Sequence, residues 1–398
     1  MKLAQRVVKL AESATLAVSA KAARMKADGI DVIGFGAGEP DFDTPAHIRQ
    51  AGIDAINAGK TKYPNPASGL IATKKAVCER LRCDHGLRYE PEQVIITSGG
   101  KDAAYMAIHA VIDPGDEAVI PAPYWVSYPE MVQLAGGVPV HVHGPEQNDY
   151  KLTPKLLESV ITDRTRLVIL NSPSNPSGVT YGPDEIRALA SVLQNRDLFV
   201  LSDEIYDRLL HDGQKTLSYA SVSDAAYRQA LTLNSASKTY AMTGWRLGYA
   251  AGPIEVIKAM AKLQSQSTSG AATFGQIAYA TALSADQGVV ETMRAEFERR
   301  GRYMWQRLTG IPGVRCPKPT GAFYCFPNVS ATYARLGVTG SIQFASRLLD
   351  EARVAVVPGE AFGMDAHVRL SFATNMEQIT KGLDRLETWI QRCGQPKK

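Results

Sequence analysis

Short apolar runs rich in β-branched residues alternate with helix-like stretches through the middle of the chain, and this alternation restricts the fold more than any other feature. Each run is bounded by Gly, Pro, Asp, Asn or Ser, as buried strands tend to be. The six runs cover residues 94–97, 117–120, 138–142, 167–170, 198–201 and 230–233. Strand–helix alternation over this length predicts an α/β fold with a mostly parallel sheet.

Helical spacing of apolar residues fills the gaps between the runs. Asp184 is a candidate N-cap for one helix, and a second helix begins near Pro129 and stops at Gly136-Gly137. The last hundred residues have another pattern, with helices predicted over 291–308, 341–351 and 377–391 and strands over 322–326, 354–357 and 368–372. We therefore predict an arm and part of a small domain in 1–45, a large domain in 46–290 and a small α+β domain in 291–398.

Charge and cysteine content exclude several classes of protein. The 398 residues include 44 Lys and Arg against 40 Asp and Glu, and the two signs are interspersed, which disfavours nucleic acid and membrane surfaces as partners. The five cysteines form no CxxC pair or Cys/His cluster, so we expect neither a disulfide framework nor a metal site. The N-terminus lacks the apolar core of a signal peptide, and we expect a soluble, cytoplasmic protein.

The most informative stretch follows the last of the six runs and combines hydroxyl side chains, one lysine and one arginine. Lys238 is the candidate for a Schiff base with an aldehyde cofactor, which requires a neutral amine. Ser235, Ser237 and Arg246 would form a hydrogen-bonding, positively charged seat for a phosphate. The competing interpretation is a surface loop with an ordinary lysine.

A second polar group follows the run at 198–201, at the end of a strand where α/β proteins place ligands. Asp203 could face a pyridine nitrogen and keep it protonated, which makes pyridoxal phosphate a strong electron sink. Tyr206 could donate a hydrogen bond to the phenolic oxygen of the same cofactor. Alternatively, Asp203 caps a helix.

Three further motifs carry groups suited to the same ligand. Asn175 offers an amide donor to the phenolic oxygen, although its motif taken alone indicates only a turn. Gly100 and Lys101 follow a strand-like run and precede a helix, so their backbone amides can reach a phosphate. The flat ring of Trp125 suits stacking on an aromatic cofactor, with core packing as the alternative.

Arg369 lies in a predicted strand of the small domain. An arginine in a half-apolar strand needs an anion, and a substrate carboxylate bound through two hydrogen bonds would provide one. A structural salt bridge is the alternative explanation.

In order and spacing these motifs are similar to those of class I pyridoxal-phosphate aminotransferases. The matching segments are Gly38-Glu-Pro-Asp-Phe-Asp-Thr-Pro45, Tyr63, Ser98-Gly-Gly-Lys101, Pro123-Tyr-Trp125, Asn175-Pro-Ser-Gly178, Ser202-Asp-Glu-Ile-Tyr206, Ser237-Lys238, Met242-Thr-Gly-Trp-Arg246 and Arg369. The chain most resembles bacterial aspartate and aspartate/prephenate aminotransferases. The resemblance implies fold type I, with a seven-stranded, mostly parallel sheet in a large domain and a small α+β domain.

The resemblance also implies a role for each matching position. Lys238 resembles the lysine that holds pyridoxal phosphate and moves the substrate proton, and Asp203 the partner of the pyridine nitrogen. The other cofactor positions are the phenolic-oxygen partners Asn175 and Tyr206, the stacking ring of Trp125 and the phosphate-site residues Gly100, Lys101, Ser235, Ser237 and Arg246. Tyr63 resembles a tyrosine that reaches the phosphate in the neighbouring subunit, which implies a homodimer with shared active sites. The clamp for the substrate α-carboxylate is implied to be Arg369, Asn175 and the backbone of Gly38.

Substrate choice is implied by a departure from the animal and enterobacterial enzymes. No arginine stands near residues 265–274, where those enzymes draw a side-chain-binding arginine from the partner subunit. In the resembling bacterial subgroup a lysine takes over the distal carboxylate, and Lys101 stands at that position. Trp125, Ser13 and Thr15 also match residues of its substrate pocket. Asp102 stands where Gln is common and adds a carboxylate close to Lys101.

The leading hypothesis is amino transfer between L-aspartate and 2-oxoglutarate, with ping-pong kinetics. Prephenate is a reasonable further acceptor, because a lysine is a less exacting partner than a bidentate arginine. Aromatic or alanine specificity remains open, as does a β-lyase or an aminocyclopropane-forming synthase, which share these motifs. A non-catalytic sensor with an aminotransferase-like domain is disfavoured, because Lys238 and all its partners are retained.

Overall fold

The computed structural model describes residues 2–8, 10 and 14–392. Its α-helices are α1 Gln5–Val8, α2 Ala14–Ala27, α3 Ala46–Asn57, α4 Ile71–His85, α5 Gly100–Val111, α6 Ser127–Leu134, α7 Pro154–Val160, α8 Pro183–Leu193, α9 Asp224–Gln229, α10 Ala236–Thr239, α11 Ile254–Ser267, α12 Thr273–Ser284, α13 Gly288–Thr309, α14 Tyr333–Leu336, α15 Ser341–Arg347 and α16 Met376–Arg392. Its strands are β1 Ile33–Gly34, β2 Val94–Thr97, β3 Glu117–Ala122, β4 Val138–His143, β5 Thr165–Asn171, β6 Phe199–Asp203, β7 Ala230–Ser235, β8 Gly248–Ala251, β9 Tyr324–Cys325, β10 Val354–Ala355, β11 Val357–Pro358 and β12 Val368–Ser371. Across these ranges, no helix combines the length and the apolar character needed to cross a membrane.

Seven strands form the central sheet, in the order β2-β8-β7-β6-β5-β3-β4. Every neighbouring pair is parallel except the two that involve β8, which runs antiparallel to both of its neighbours. All six predicted runs lie in this sheet, and the prediction of a mostly parallel α/β fold is confirmed. The seventh strand, β8, was not predicted because its Gly-Tyr-Ala-Ala sequence contains no β-branched residue.

Successive residues of the central strands pack into two different hydrophobic clusters, because side chains alternate between the faces of a sheet. Val94 and Ile96 belong to one cluster, whereas Ile95 belongs to the other. Helices α5 and α11 contribute Met106 and Met260 to the second cluster. Burial on both faces explains why the strands are continuous apolar runs rather than alternating ones.

A third hydrophobic cluster unites the start of the chain with its C-terminal quarter. Strand β1 pairs in parallel with β10, and β11, β12 and β9 form a three-stranded sheet. Helices α13 and α16 cover these strands, with Phe297 and Leu383 fully buried between them. The helices predicted over 291–308 and 377–391 lie within α13 and α16. The domain boundaries at 45 and 290 stay a prediction.

The structure corrects two local details predicted from the sequence and makes a third more exact. Asp184 is not an N-cap, because Pro183 occupies the first helical position of α8 and the Glu185 carboxylate accepts the backbone N–H of Gly182 at 2.8 Å. Helix α6 begins two residues before Pro129. The helix predicted over 341–351 is divided into α15 and a π-helical turn, Leu348–Ala352.

Three neighbouring parallel strands bring polar residues to one edge of the sheet. Strands β5, β6 and β7 end at Asn171, Asp203 and Ser235, and Asn171 lies opposite Asp203 in the pairing register. The segments that follow these strands carry Asn175, Tyr206 and Lys238, so the topology alone gathers most of the predicted site at the carboxyl ends of the strands.

Candidate active site

A cavity of about 1230 Å³ lies at this edge of the sheet and is lined from both halves of the fold. It brings together most of the residues that the sequence singled out: Gly38, Gly100, Lys101, Trp125, Asn175, Asp203, Tyr206, Ser237, Lys238, Arg246 and Arg369. Residues more than 300 positions apart in the chain therefore share one chamber, as a ligand site with several polar groups requires.

Two other predicted residues, Ser235 and Tyr63, do not line this chamber, and the side chains of two more are not described by the structure. Ser235 is buried behind its wall, where its Oγ accepts the backbone N–H of Ser237 at 3.0 Å. Tyr63 lies elsewhere and is 83% exposed. Ser13 lies outside the described residues, and Thr15 falls in α2 with its side chain outside what the structure describes.

Lys238 lies in the four-residue helix α10, directly behind the end of β7. The Ser235 hydroxyl caps this helix and thereby fixes the position of the lysine. The Lys238 ammonium donates to the backbone carbonyl of Gly38 at 2.5 Å. Burial lowers the pKa of Lys238 to about 8, with help from the positive charges of Arg369 and Arg246. A neutral amine, the form that attacks carbonyl groups, is thus accessible close to neutral pH.

Asp203 presents a buried carboxylate to the cavity at the end of β6. Its Oδ2 accepts the hydroxyl of Tyr128 at 2.5 Å, and its Oδ1 accepts the backbone N–H of Ile205 at 3.2 Å. Burial raises the pKa of Asp203, and these two donors and the charge of Lys238 oppose that shift. No helix follows Asp203, so the helix-capping alternative does not apply. A cationic partner inside the cavity would stabilise the ionised carboxylate further.

Helix α5 and Arg246 form a pocket for an anion. Gly99 adopts a φ of +94°, which turns the chain so that α5 begins with the amides of Gly100 and Lys101. The Arg246 guanidinium donates to the carbonyls of Thr243 at 2.8 Å and Ser98 at 3.3 Å and pairs with no carboxylate of the described chain. Free helix N–H groups beside an arginine suit a phosphate.

Trp125 and Lys101 form one wall of the cavity. The Trp125 ring packs edge-on against Tyr128, with ring centres 5.2 Å apart, and still lines the cavity. It therefore has both a core contact and a free face. The Lys101 ammonium lies 5.0 Å from the centre of this ring, and burial together with Arg246 lowers the pKa of Lys101. Lys101 makes no ion pair with any Asp or Glu that the structure describes.

Arg369 is 3% exposed and projects from β12 toward the same space. It donates to Asn175 Oδ1 and to the carbonyl of Gly36, both at 2.9 Å, and its Nε has no hydrogen-bond partner. None of the acidic residues within the described ranges pairs with it, so the salt-bridge alternative is wrong for this chain. A buried guanidinium without an anion is costly, and a carboxylate entering the cavity would compensate its charge.

Comparisons with known proteins agree with this geometry. The model of the family described as "Aminotransferase class I and II" matches residues 30–386. The chain belongs to this family. It is 48% identical to an aspartate aminotransferase of Geobacillus stearothermophilus, covering 98% of this chain and 99% of that one. It is 44% identical to an aspartate/prephenate aminotransferase of Cereibacter sphaeroides, with 97% and 98% covered. The solved Thermus thermophilus aspartate aminotransferase with maleate superposes with a TM-score of 0.93 at 42% identity, covering 98% of this chain and all of that one.

Class I aminotransferases use pyridoxal phosphate, and the residues of the cavity fit this cofactor. A Cβ atom added at Gly99 would lie 2.5 Å from Arg246 Nη2, and one at Gly248 would lie 2.6 Å from the backbone nitrogen of Gly100. The anion pocket of this aminotransferase thus requires glycine, which has no side chain, at these two positions. With the amine of Lys238 and the buried carboxylate of Asp203, the cavity contains a partner for the phosphate, the aldehyde and the ring nitrogen.

A second cluster of ionisable groups lies behind the site, where His85, Glu204 and Asp207 meet within 4.8 Å. His85 Nε2 is 3.1 Å from the Asp207 carboxylate and 4.0 Å from that of Glu204. Burial alone would lower the pKa of His85, but the hydrogen bond to Asp207 and the surrounding carboxylates raise it to about 9. A protonated His85 supplies the positive charge between these carboxylates.

Two tyrosines of the site were missed by the sequence analysis. Tyr128 donates to Asp203, and Tyr324 lies 2.9 Å from the Tyr206 hydroxyl. Both are fully buried and line the cavity. Tyr128 lies three residues after Trp125 at the start of α6, which was its one sequence signal. Tyr324 stands in a short apolar strand, where no pattern distinguishes it from a core residue.

Proposed function

We propose that this protein transfers the amino group of L-aspartate to 2-oxoglutarate, giving oxaloacetate and L-glutamate, with pyridoxal phosphate as cofactor. The observation that carries the proposal is the pair of cationic groups, Arg369 and Lys101, that line one cavity with Lys238 and lack carboxylate partners in the described chain. A dicarboxylic amino acid would compensate both charges. The solved relative with maleate, itself a dicarboxylate, supports this assignment.

Arg369 is the residue that we assign to the substrate α-carboxylate. Each of its two terminal nitrogens already donates one hydrogen bond, Nη1 to Asn175 and Nη2 to Gly36, while its Nε has no partner. The guanidinium is also confined between the rings of Tyr324 and Phe362, at 4.6 and 5.1 Å. A preorganised arginine loses little entropy on binding, which favours tight and oriented capture of the carboxylate. The backbone of Gly38 lines the same cavity and is assigned to the same carboxylate.

Lys101 is assigned to the distal carboxylate of the substrate. The Lys101 side chain is exposed and lines the cavity, its ammonium lies 5.0 Å from the centre of the Trp125 ring, and the nearby charge of Arg246 adds to the attraction for a carboxylate. Since an ammonium is a point charge without a fixed fork, it tolerates carboxylates of different reach. This tolerance favours use of both aspartate and 2-oxoglutarate by a single site.

The cofactor assignments follow the positions of the side chains. Gly100, Lys101, Ser237 and Arg246 would hold the phosphate, with Ser235 supporting Ser237 from behind. Trp125 would stack on the ring, Asp203 would hold a proton on the ring nitrogen, and Asn175 Nδ2 and the Tyr206 hydroxyl would donate to the phenolic oxygen. When bound, pyridoxal phosphate withdraws electrons from the substrate and stabilises the negative charge left at Cα after loss of a proton.

Lys238 is the residue that we assign to proton movement. With the substrate in the cavity, the free amine of Lys238 would accept the proton from the substrate Cα. The lowered pKa of Lys238, about 8, makes the free amine available as this base near neutral pH. Its contact with the Gly38 carbonyl keeps the amine beside the α-carboxylate site.

We also infer a homodimer with shared active sites in the cytoplasm. Tyr63 is 83% exposed, and Ile53 and Ile56, which lie one turn apart on helix α3, are each about half exposed. Large apolar side chains exposed in this way suit an interface. Free thiols at the four described cysteines are consistent with a reducing compartment.

Prephenate is the second candidate acceptor. The 44% identical relative from Cereibacter sphaeroides is an aspartate/prephenate aminotransferase. Prephenate carries two carboxylates, so Arg369 and Lys101 would serve it as they serve aspartate.

A single-turnover titration of the purified holoenzyme tests the proposal. Aspartate, glutamate, alanine, phenylalanine and a β-substituted alanine are added in turn, and the visible absorbance of the bound cofactor is followed. We expect loss of the band with aspartate and glutamate and its return with 2-oxoglutarate or prephenate. Conversion by alanine or phenylalanine alone would overturn the dicarboxylate assignment. Release of pyruvate and ammonia, with the band restored unaided, would show a β-lyase instead.

A further inference from the structure

Tyr324 lies at the junction between the two parts of the proposed site. It is 0% exposed and lines the cavity from the two-residue strand β9. Strand β9 pairs with β12, where Ser371 is opposite Tyr324. This register places the tyrosine beside the strand that carries Arg369.

The side chain of Tyr324 makes two contacts of different kinds. Its hydroxyl oxygen is 2.9 Å from that of Tyr206, and its ring centre is 4.6 Å from the guanidinium carbon of Arg369. A Cβ added at Gly38 would approach the same hydroxyl to 3.5 Å. One side chain therefore touches both the group assigned to the cofactor's phenolic oxygen and the group assigned to the substrate carboxylate.

The hydrogen bond between the two tyrosines has a direction once Tyr206 donates to the cofactor. Burial raises the pKa of both hydroxyls, so each carries its single proton near neutral pH. If the proton of Tyr206 points at the phenolic oxygen, the bond between the tyrosines must be donated by Tyr324. Donors in series polarise one another and strengthen the terminal bond.

We infer that Tyr324 is a positioning residue that strengthens the Tyr206 hydrogen bond to the cofactor and at the same time holds Arg369 by its ring. The inference rests on the proposed function. One side chain then supports two functions: electron withdrawal by the cofactor, through the Tyr206 hydrogen bond, and binding of the substrate carboxylate, through Arg369. The two contributions separate chemically, because the hydroxyl makes the first contact and the ring makes the second.

Two variants of Tyr324 test the two contacts separately. Tyr324→Phe keeps the ring, so we expect the KM for aspartate to stay within about twofold. When the visible absorbance of the bound cofactor is titrated against pH, the midpoint of the transition should rise by about 0.5 pH unit, the size expected when one neutral hydrogen bond weakens. Tyr324→Leu also removes the ring from Arg369, and we expect the KM for aspartate to rise about tenfold, the range of a desolvated cation–π contact.

The control variant is Tyr219→Phe, which removes another fully buried tyrosine hydroxyl, bonded to Gln229 outside the cavity. It should leave the midpoint and the KM unchanged. Thermal unfolding of all variants identifies any loss of the fold. An unchanged midpoint in Tyr324→Phe overturns the link to the cofactor, and an unchanged KM in a folded Tyr324→Leu overturns the support of Arg369. A wild-type protein that shows no cofactor band, or no band change with any amino acid, would instead overturn the proposed function.

Discussion

At the scale of single residues, the amine of Lys238 has the most specific assignment. We predict that Lys238→Ala abolishes the visible absorption band of the bound cofactor, because no other amine of the described chain lines the cavity except that of Lys101. Absorption spectra after addition of pyridoxal phosphate provide the measurement. Lys101→Ala is the matched control and should keep the band. A band that persists in Lys238→Ala but disappears in Lys101→Ala would exchange the two assignments.

Lys101 is the residue on which dicarboxylate specificity depends. We predict that Lys101→Ala weakens kcat/KM for aspartate by about 2–5 kcal/mol, the range for removing one partner of a charge pair that becomes desolvated on binding. Alanine and phenylalanine lack the distal carboxylate and should lose far less. Steady-state kinetics on the three amino acids supply an internal control for folding. Equal losses on all three would place Lys101 at the phosphate alone.

The individual residues also show where sequence reasoning ends. Lys238, Asp203 and Arg369 were predictable because charged side chains stood at strand ends or inside an apolar strand. Tyr128 and Tyr324 were not, because their importance comes from contacts with Asp203 and Tyr206 that lie 75 and 118 positions away. A buried tyrosine and a site tyrosine have the same local pattern.

At the scale of elements, the C-terminal end of α4 supports the turn that follows β6. His85 ends α4 and contacts Asp207 and Glu204, which alternate along that turn with the site residues Asp203 and Tyr206. The Glu204 carboxylate also accepts the hydroxyls of two serines. The back of the turn is thus held by a buried cation while its front faces the cavity.

This ion cluster predicts a pH dependence of stability. The pKa of His85 is raised from its ordinary 6.5 to about 9, so its contribution is complete below about pH 6.5 and is lost as the pH rises through about 9. We predict that His85→Gln lowers the free energy of unfolding by up to roughly 3 kcal/mol at pH 6 and by much less at pH 10. Urea unfolding of both proteins at several pH values measures the difference. A difference that is independent of pH would show that the ion pair is not its source.

The start of α5 gives a second prediction at this scale. Gly99→Ala should weaken cofactor binding by about tenfold or more, because alanine is strained at a φ of +94° and its Cβ would meet Arg246. Equilibrium dialysis of pyridoxal phosphate is the measurement. Gly244→Ala lies in the Arg246 loop with open space around its Cβ and should bind normally. Normal cofactor binding by Gly99→Ala would show that the phosphate does not bind at the N-terminus of α5.

The element scale is also where the sequence predicted most of the structure. Five of the six predicted strands are buried on both faces and are apolar runs that can be read directly. The sixth, β4, lies at the sheet edge with Val142 as its one buried residue, and its β-branched residues identified it. Strand β8 escaped because it owes its conformation to pairing with β2 and β7 rather than to its own composition.

At the scale of the whole molecule, the position of Tyr63 decides how the site is completed. Tyr63 is exposed and lies outside the cavity of its own chain, although its motif matches a phosphate-binding tyrosine. Both facts are reconciled if Tyr63 enters the cavity of a second copy. Sedimentation should therefore show a dimer of this 43.1 kDa chain.

Mixing two defective chains tests whether that dimer shares its sites. In a hybrid of Lys238→Ala with Tyr63→Ala, one site would keep both Lys238 from one chain and Tyr63 from the other. Random pairing should therefore restore roughly a quarter of the sites, measured as cofactor bound and aspartate turned over at limiting pyridoxal phosphate. Lys101 lines the cavity of its own chain, so a mixture of Lys238→Ala with Lys101→Ala should restore nothing. If the Tyr63 mixture stayed as inactive as its parents while the hybrid dimer formed, the two sites would be independent.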